Sequence, residues 1–165
     1  MPMTIPAAAA LRPPAPMPAE PARELLAILD DEIAARQRAA ERYDELLGNH
    51  AAIITPTIAP GNVSAWAQYT VRVPGRDAIA AELNAAGIPT AVHYPLSLAQ
   101  QPALARADAP YLPHSENAAR EVLSLPMHPY LDEATIVRIA STLIAATEQA
   151  LVTIQPIASS GGQER

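Results

Sequence analysis

Residues 68–75 read Gln-Tyr-Thr-Val-Arg-Val-Pro-Gly, and this stretch decides the fold of the chain. From Asn62 to Val73 the side chains alternate between two faces, which is the period of a half-buried β-strand. The Pro-Gly pair at 74–75 favours a turn and ends the strand. One face is predicted to carry Ala65, Ala67, Tyr69, Val71 and Val73, and the other Trp66, Gln68, Thr70 and Arg72.

A long amphipathic helix is predicted before this strand, from Ala22 to Leu47. Its apolar residues recur at spacings of three, four or seven, and Gly48 follows as an expected left-handed cap. A small sheet cannot readily cover so long an apolar face, so we expect the helix to pack on something else as well. The face comprises Leu25, Leu26, Leu29, Ile33, Ala40, Tyr43 and Leu47.

Five shorter elements are predicted after the strand. They are a helix over Asp77–Ala86, a strand over Thr90–Tyr94, a short helix N-capped by Ser115, a strand over Val122–Leu125 and a final helix capped by Asp132. This order of elements, with short connections, predicts an α/β (α+β) domain. Its small sheet of three strands is expected to be covered by helices.

Both ends of the chain are predicted to lie outside the folded domain. Residues 1–21 hold seven of the 18 prolines and an alanine run, which is typical of an extended or disordered leader. Residues 156–165, with Ser-Ser-Gly-Gly at 159–162, are typical of a flexible tail. The folded domain is therefore expected over residues 22–155.

Composition limits the classes of function. Half of the 165 residues are apolar, but there are only five Tyr, one Trp and no Phe, so aliphatic side chains are expected to fill a thin core that a partner completes. A formal charge of −6 without a basic run argues against nucleic-acid binding. Neither a membrane span, a signal peptide nor a cysteine is visible. A soluble, cytoplasmic protein is the default expectation.

All eleven basic residues are arginine. Because lysine is absent, the chain has no primary amine on any side chain. Catalysis through a Schiff base on a side chain is therefore excluded within this polypeptide.

Few residue patterns suggest a site. The four histidines, at positions 50, 93, 114 and 128, lie at least fourteen residues apart without metal-ligand spacing, and the six glycines form no phosphate-binding loop. His93 and Tyr94 stand together at the end of a predicted strand, where ligand contacts are common. On the sequence pattern alone, a structural role is more frequent than a ligand contact: His93 would be an ordinary edge residue and Tyr94 a half-buried core residue. A turn locked by two prolines accounts for His128.

Six short segments follow one another along the chain: Gln68–Val73, Arg76–Asp77, Gly87–Thr90, His93–Pro95, Gln101–Ala103 and Leu123–Tyr130. In this order and at these spacings they resemble the C-terminal region of the DegT/DnrJ/StrS family of sugar-nucleotide aminotransferases. Arg-Gln-Arg at 36–38 resembles the helix that leads into that region, and the resemblance covers about residues 22–152.

The resemblance implies the small domain of a fold-type I aminotransferase, with a small antiparallel sheet flanked by helices. Full-length relatives are expected to hold pyridoxal 5′-phosphate on a lysine and to move an amino group, typically from glutamate, onto a keto-sugar nucleotide. They are expected to act as dimers. The lysine belongs to a large N-terminal domain without a counterpart in this sequence, so we expect no cofactor in this chain.

The resemblance also implies roles for two residues. The His-Tyr-Pro turn lies on the substrate side in this family, so His93 and Tyr94 are the candidate contacts to a nucleotide sugar. No catalytic, cofactor-binding or metal-binding residue is expected. The following loop departs from the family pattern, because Ser97, Ala99 and Leu104 stand where Pro, His or Asn, and commonly Tyr are expected.

Three functional interpretations remain open. The chain is the C-terminal part of such an aminotransferase and inactive alone; it is a non-catalytic interaction module; or it is a degenerate remnant. The expected partner is a full-length aminotransferase subunit or a separate pyridoxal phosphate domain, with a homodimer as a further possibility.

Overall fold

The computed structural model describes residues 19–104, 106 and 110–154. The predicted fold class, a small antiparallel sheet flanked by helices, is confirmed. Residues 1–18 and 155–165, which hold most of the predicted leader and tail, lie outside the described residues. The elements are α1 (Ala19–Leu47), β1 (Tyr69–Arg72), α2 (Arg76–Ala85), a 3-10 turn (Leu98–Gln100), α3 (Pro113–Glu121), β2 (Val122–Leu125) and α4 (Glu133–Ile154).

Within the described residues the sheet has two strands, where three were predicted. β1 and β2 run antiparallel, with Tyr69 opposite Leu125 at one end. Single bridges add one residue pair at each edge: Ile54 pairs with Arg72, and Ala91 pairs with Ser124.

The end of α3 explains why the segment after α2 does not become the predicted strand. Ala91 and Ser124 exchange both backbone hydrogen bonds, at 3.1 and 2.8 Å. The next hydrogen-bonded pair within the predicted strand would join His93 to Val122. The Val122 N–H instead donates to the Ala118 carbonyl of α3, and the Val122 carbonyl accepts from Arg76 at 3.1 Å. The prediction of a strand over Thr90–Tyr94 is therefore wrong, and only one bridge forms.

β1 begins later than predicted because the chain turns at Trp66. The backbone of Trp66 is left-handed, with φ 47°, and its N–H donates to the Ser64 hydroxyl at 3.1 Å. Trp66 was predicted on the polar face but is buried. Tyr69, Val71 and Val73 occupy the buried face as predicted.

Three of the six aromatic side chains form the centre of the core. Tyr43 of α1 stacks on Tyr69 of β1 with ring centroids 4.8 Å apart, and Trp66 lies 5.6 Å from Tyr69. The Tyr43 hydroxyl donates to the Pro126 carbonyl at 3.0 Å, and the Tyr69 hydroxyl donates to the Asp44 carboxylate at 2.5 Å. Burial raises the pKa of both phenols. The expected aliphatic core is therefore arranged around an aromatic centre.

α4 packs against α1 and α2. The Asp132 carboxylate accepts from the backbone N–H of Thr135 at 2.7 Å, so the predicted cap is confirmed. Among the described residues α4 alone is long and apolar enough to cross a membrane by length and composition, which the sequence analysis did not anticipate. Much of its apolar face packs inside the domain, as in a core helix. The buried residues are Ile136, Ile139, Ala140, Leu143, Ala146, Thr147 and Ala150.

Two predicted helix ends are wrong in detail. Gly48 is not left-handed; glycine is needed there because a Cβ would lie 2.6 Å from the Asp44 carbonyl oxygen. α3 begins at Pro113 with Leu112 as its N-cap, so Ser115 lies inside the helix. Proline at the first helical position presets the backbone and moves the start forward.

The N-terminal half of α1 extends beyond the core. Leu25, Leu26 and Leu29 are 55%, 67% and 45% exposed, whereas full burial along the helix begins at Ala39. The described domain therefore leaves part of the predicted apolar face uncovered. Isolated helical turns are marginal in water, so this half gains little stability from the described residues.

Replacing the central ring tests the role of the aromatic stack. Tyr69→Ala is expected to lower the free energy of unfolding by about 3–5 kcal/mol, because a fully buried ring is lost. Tyr111→Ala is the control, since Tyr111 is 74% exposed and its loss costs about 0.5 kcal/mol or less. Urea unfolding followed by circular dichroism measures both. Similar losses for the two variants would contradict the central role of Tyr69.

The Asp132 cap of α4 is expected to make the stability of the fold depend on pH. Hydrogen bonds from Thr135 lower the pKa of Asp132, so its stabilising effect is present above the unfolded aspartate pKa, about 3.9. The effect is lost as the pH falls through the lower folded pKa. The melting temperature of Asp132→Ala is therefore expected to lie below that of the natural chain near neutral pH. The difference between the two melting temperatures is expected to become smaller in acid. Thermal unfolding of both chains across the acid range measures this difference. A difference in melting temperature that does not change with pH would exclude the charged cap.

Candidate functional site

His93 and Tyr94 lie just beyond the residue that bridges to β2. Their rings meet edge to face, with centroids 6.3 Å apart and an interplanar angle of 79°, and the peptide bond between them is cis. Both side chains are exposed, Tyr94 to 75%. Tyr94 is therefore not a half-buried core residue, and both side chains are accessible to a ligand.

Two hollows flank His93, which borders both. The first, about 240 Å³, lies between the His-Tyr loop, α3 and β2. The second, about 210 Å³, lies between the residues before β1 and the two segments that bridge at Ala91 and Ser124. Their polar neighbours differ. Tyr94, Ser97 and Ser115 border the first hollow, and Gln68, Thr90 and Ser124 border the second.

Ser97 shapes the first hollow. Its backbone N–H donates to the Gln100 side-chain oxygen at 3.0 Å, which closes the 3-10 turn. Its hydroxyl is buried without a hydrogen-bond partner among the described residues. Ser97 stands where proline was expected, so this position carries a polar group and the turn is held by a side-chain contact.

Gln37 of α1 holds the loop that leads into the second hollow. Its amide nitrogen donates to the Ser64 carbonyl at 2.5 Å, and its amide oxygen accepts from the Trp66 indole at 2.8 Å. Arg36 donates to the Trp66 carbonyl at 3.2 Å. These bonds position Gln68, two residues further on, beside His93. The sequence analysis singled out Gln37 only for a family resemblance and did not predict this role, because Gln37 and its partners lie about 30 residues apart.

The remaining candidate groups have structural partners. His128 accepts from the backbone N–H of Tyr130 at 3.2 Å, which fits the interpretation of this segment as a turn. The Ser124 and Thr70 hydroxyls are hydrogen-bonded to each other at 2.8 Å across the strands. In the described part of the chain, no three side chains of the metal-binding types come together.

Solved aminotransferases share the fold of this domain over about a third of their length. A solved DegT/DnrJ/EryC1/StrS aminotransferase from Brucella abortus is 40% identical, with a TM-score of 0.67, over 76% of this chain and 34% of that one. The family model for DegT/DnrJ/EryC1/StrS aminotransferases matches residues 18–144. The chain belongs to this family.

Curated relatives carry related names. A UDP-2-acetamido-2-deoxy-3-oxo-D-glucuronate aminotransferase from Pseudomonas aeruginosa is 51% identical over 118 residues, 72% of this chain and 32% of the relative. A dTDP-3-amino-3,4,6-trideoxy-alpha-D-glucose transaminase from Streptomyces venezuelae is 37% identical over 116 residues, 69% of this chain and 31% of the relative. The chain spans about a third of the length of these relatives.

Full-length members of the family depend on pyridoxal phosphate, are dimeric and act on nucleotide sugars. The residues of this chain do not fit the cofactor. No lysine is present to bind its aldehyde, and no arginine borders either hollow beside His93 to bind its phosphate. No step of the cofactor's chemistry can therefore be assigned to this chain.

The Gln37 contacts give a test with a built-in reporter, because Trp66 is the only tryptophan. Gln37→Leu keeps the volume but removes two hydrogen bonds, which costs about 1–3 kcal/mol. The Trp66 emission is expected to shift to longer wavelength and to become easier to quench. Gln149→Leu, at an exposed position on α4, is the control. An unchanged emission in Gln37→Leu would show that Gln37 does not position the loop.

Proposed function

We propose that this chain is the C-terminal domain of a pyridoxal phosphate-dependent sugar-nucleotide aminotransferase and that it catalyses no amino transfer alone. One observation carries the proposal. The family match extends over residues 18–144, corresponds to about a third of the relatives' length, and lies in a chain without lysine. In this proposal the chain is the substrate-facing part of an enzyme and lacks the amine on which that enzyme's chemistry depends.

In this proposal the lysine and the cofactor come from a pyridoxal phosphate domain or a full-length aminotransferase subunit that pairs with residues 22–155. The chain supplies the walls of the substrate site, and the complex works in the cytoplasm. The uncovered face of α1, with Leu25, Leu26 and Leu29, supports contact with another protein surface.

The proposed ligand is a uridine-diphosphate sugar with a 3-oxo group. The names of two relatives support this class, the UDP-2-acetamido-2-deoxy-3-oxo-D-glucuronate aminotransferase and a UDP-N-acetyl-3-dehydro-alpha-D-glucosamine 3-aminotransferase from Acidithiobacillus ferrooxidans. The His93 imidazole can donate to a phosphate or accept from a sugar hydroxyl. The exposed Tyr94 ring offers a stacking face and a hydroxyl.

A second candidate function is a non-catalytic interaction module. The same uncovered helix supports it, because an interaction module needs a docking face but no substrate contact. The two functions differ at His93 and Tyr94. Substituting them impairs a substrate site but leaves a docking module unaffected.

Complementation separates the two functions. The chain mixed with the pyridoxal phosphate domain of the Pseudomonas aeruginosa relative is expected to transfer an amino group to that relative's substrate. The chain alone, incubated with the cofactor, is expected to show no lysine-type aldimine absorbance. In the mixture, His93→Ala and Tyr94→Phe are each expected to reduce turnover about fivefold or more, since each removes a hydrogen bond worth about 1–3 kcal/mol.

Tyr111→Phe, a change of the same kind at another exposed tyrosine, is the control and is expected to leave turnover unchanged. Turnover that persists in the His93→Ala and Tyr94→Phe variants would favour the interaction module. A mixture that forms no complex and transfers no amino group would overturn both functions.

A further inference from the structure

The second hollow beside His93 carries a polar group that the fold itself does not use. Gln68 is exposed at the border of this hollow, whose volume is about 210 Å³. The loop before Gln68 is anchored to α1, because the Gln37 amide is hydrogen-bonded to Ser64 at 2.5 Å and to Trp66 at 2.8 Å. The chain therefore positions the Gln68 amide at the hollow without bonding to it.

Two of the four polar side chains around the second hollow already have partners in the fold. The Ser124 hydroxyl is hydrogen-bonded across the strands at 2.8 Å, and the Thr90 hydroxyl accepts from an asparagine of α2 at 3.4 Å. Among the described residues, no group hydrogen-bonds to the Gln68 amide or to the His93 imidazole. The hydrogen-bonding capacity that a ligand can use therefore belongs to Gln68 and His93.

The apolar border of the second hollow suits the face of a single ring. It includes Pro89, Pro126 and the half-buried Met127. A methionine thioether makes favourable contacts with aromatic rings, and the two prolines add rigid apolar surface. Pockets that bury a whole drug-sized ligand have volumes of roughly 300–1,000 Å³, so this smaller hollow holds one part of a nucleotide sugar rather than all of it.

We propose that the second hollow binds the pyrimidine base of the nucleotide sugar, with the Gln68 amide hydrogen-bonded to the edge of the base. A uracil edge places a ring N–H beside a carbonyl oxygen. A glutamine amide offers an acceptor beside a donor, so the two groups form a pair of hydrogen bonds. Met127 and the prolines contact the face of the ring. This inference rests on the proposed function, because it assigns one end of the ligand named there.

The position of His93 extends the assignment along the ligand. His93 borders both hollows, and a diphosphate lies between the two ends of a nucleotide sugar. An imidazole N–H beside the second hollow can donate to that diphosphate. The first hollow, bordered by Tyr94 and Ser115, is then left for the sugar, whose hydroxyls both donate and accept.

An NMR titration of the isotope-labelled full chain tests the proposal. Uridine diphosphate is expected to shift the signals of the Gln68 side-chain amide and of the Thr90 backbone amide. N-acetylglucosamine, a probe of the sugar end, is expected to leave these signals in place. Gln68→Leu is expected to weaken the binding of uridine diphosphate about fivefold or more, since it removes hydrogen bonds to the base. Adenosine diphosphate, with its two-ring base, is expected to bind more weakly than uridine diphosphate.

Gln149→Leu, at an exposed position on α4, is the matched control and is expected to bind uridine diphosphate as tightly as the natural chain does. Equal affinity in Gln68→Leu, equal affinity for the two nucleotides, or no shift at Gln68 with uridine diphosphate would each overturn the proposal. Shifts at Gln68 with N-acetylglucosamine would assign the second hollow to the sugar and would overturn it as well.

The titration contains no aminotransferase partner, so its outcome is separate from that of the complementation experiment. A chain that restores amino transfer in the mixture but shows no shift at Gln68 overturns only the base site. A chain that binds uridine diphosphate at Gln68 but transfers no amino group in the mixture supports the base site and counts against the proposed function.

Discussion

The contact between Tyr43 and Tyr69 is the interaction on which the rest of the structure depends. It joins α1 to β1 with ring centroids 4.8 Å apart, in a chain with only six aromatic side chains. Trp66 packs on the same ring, and Gln37 of α1 holds its indole. The stack therefore places the loop before β1, and through that loop the wall of the hollow beside His93. A core with so few aromatic rings has little to replace this contact.

Helix α1 carries two different surfaces. Its second half, from Ala39 onward, is built into the core, whereas the first half leaves leucine and isoleucine exposed. This division fits a chain that spans about a third of its relatives and lacks the lysine on which their chemistry depends. The described residues build a core of their own, while no side chain in the sequence carries a primary amine.

Local signals in the sequence predicted much of the fold. Helical periodicity identified α1 and α4, the residues of β2 were predicted at their observed bounds, and Asp132 caps α4 as expected. The failures have non-local causes. The segment after Pro89 is not a strand because the backbone of Val122, its next partner on β2, is already bonded to Ala118 and Arg76, contacts that no single segment reveals. For the site, adjacency suggested His93 and Tyr94, but Gln37 acquires its role only through partners that lie far away along the sequence.

Native-state amide hydrogen exchange of the free chain tests the account most directly. If the aromatic stack organises an independently folded domain, the amides of Tyr69–Arg72 and Val122–Leu125 exchange slowest, with one common free energy of opening. The amides from Arg23 to Asp30, on the uncovered half of α1, exchange much faster. Equal protection in the two regions, or strand amides that exchange as fast as the start of α1, would contradict the account.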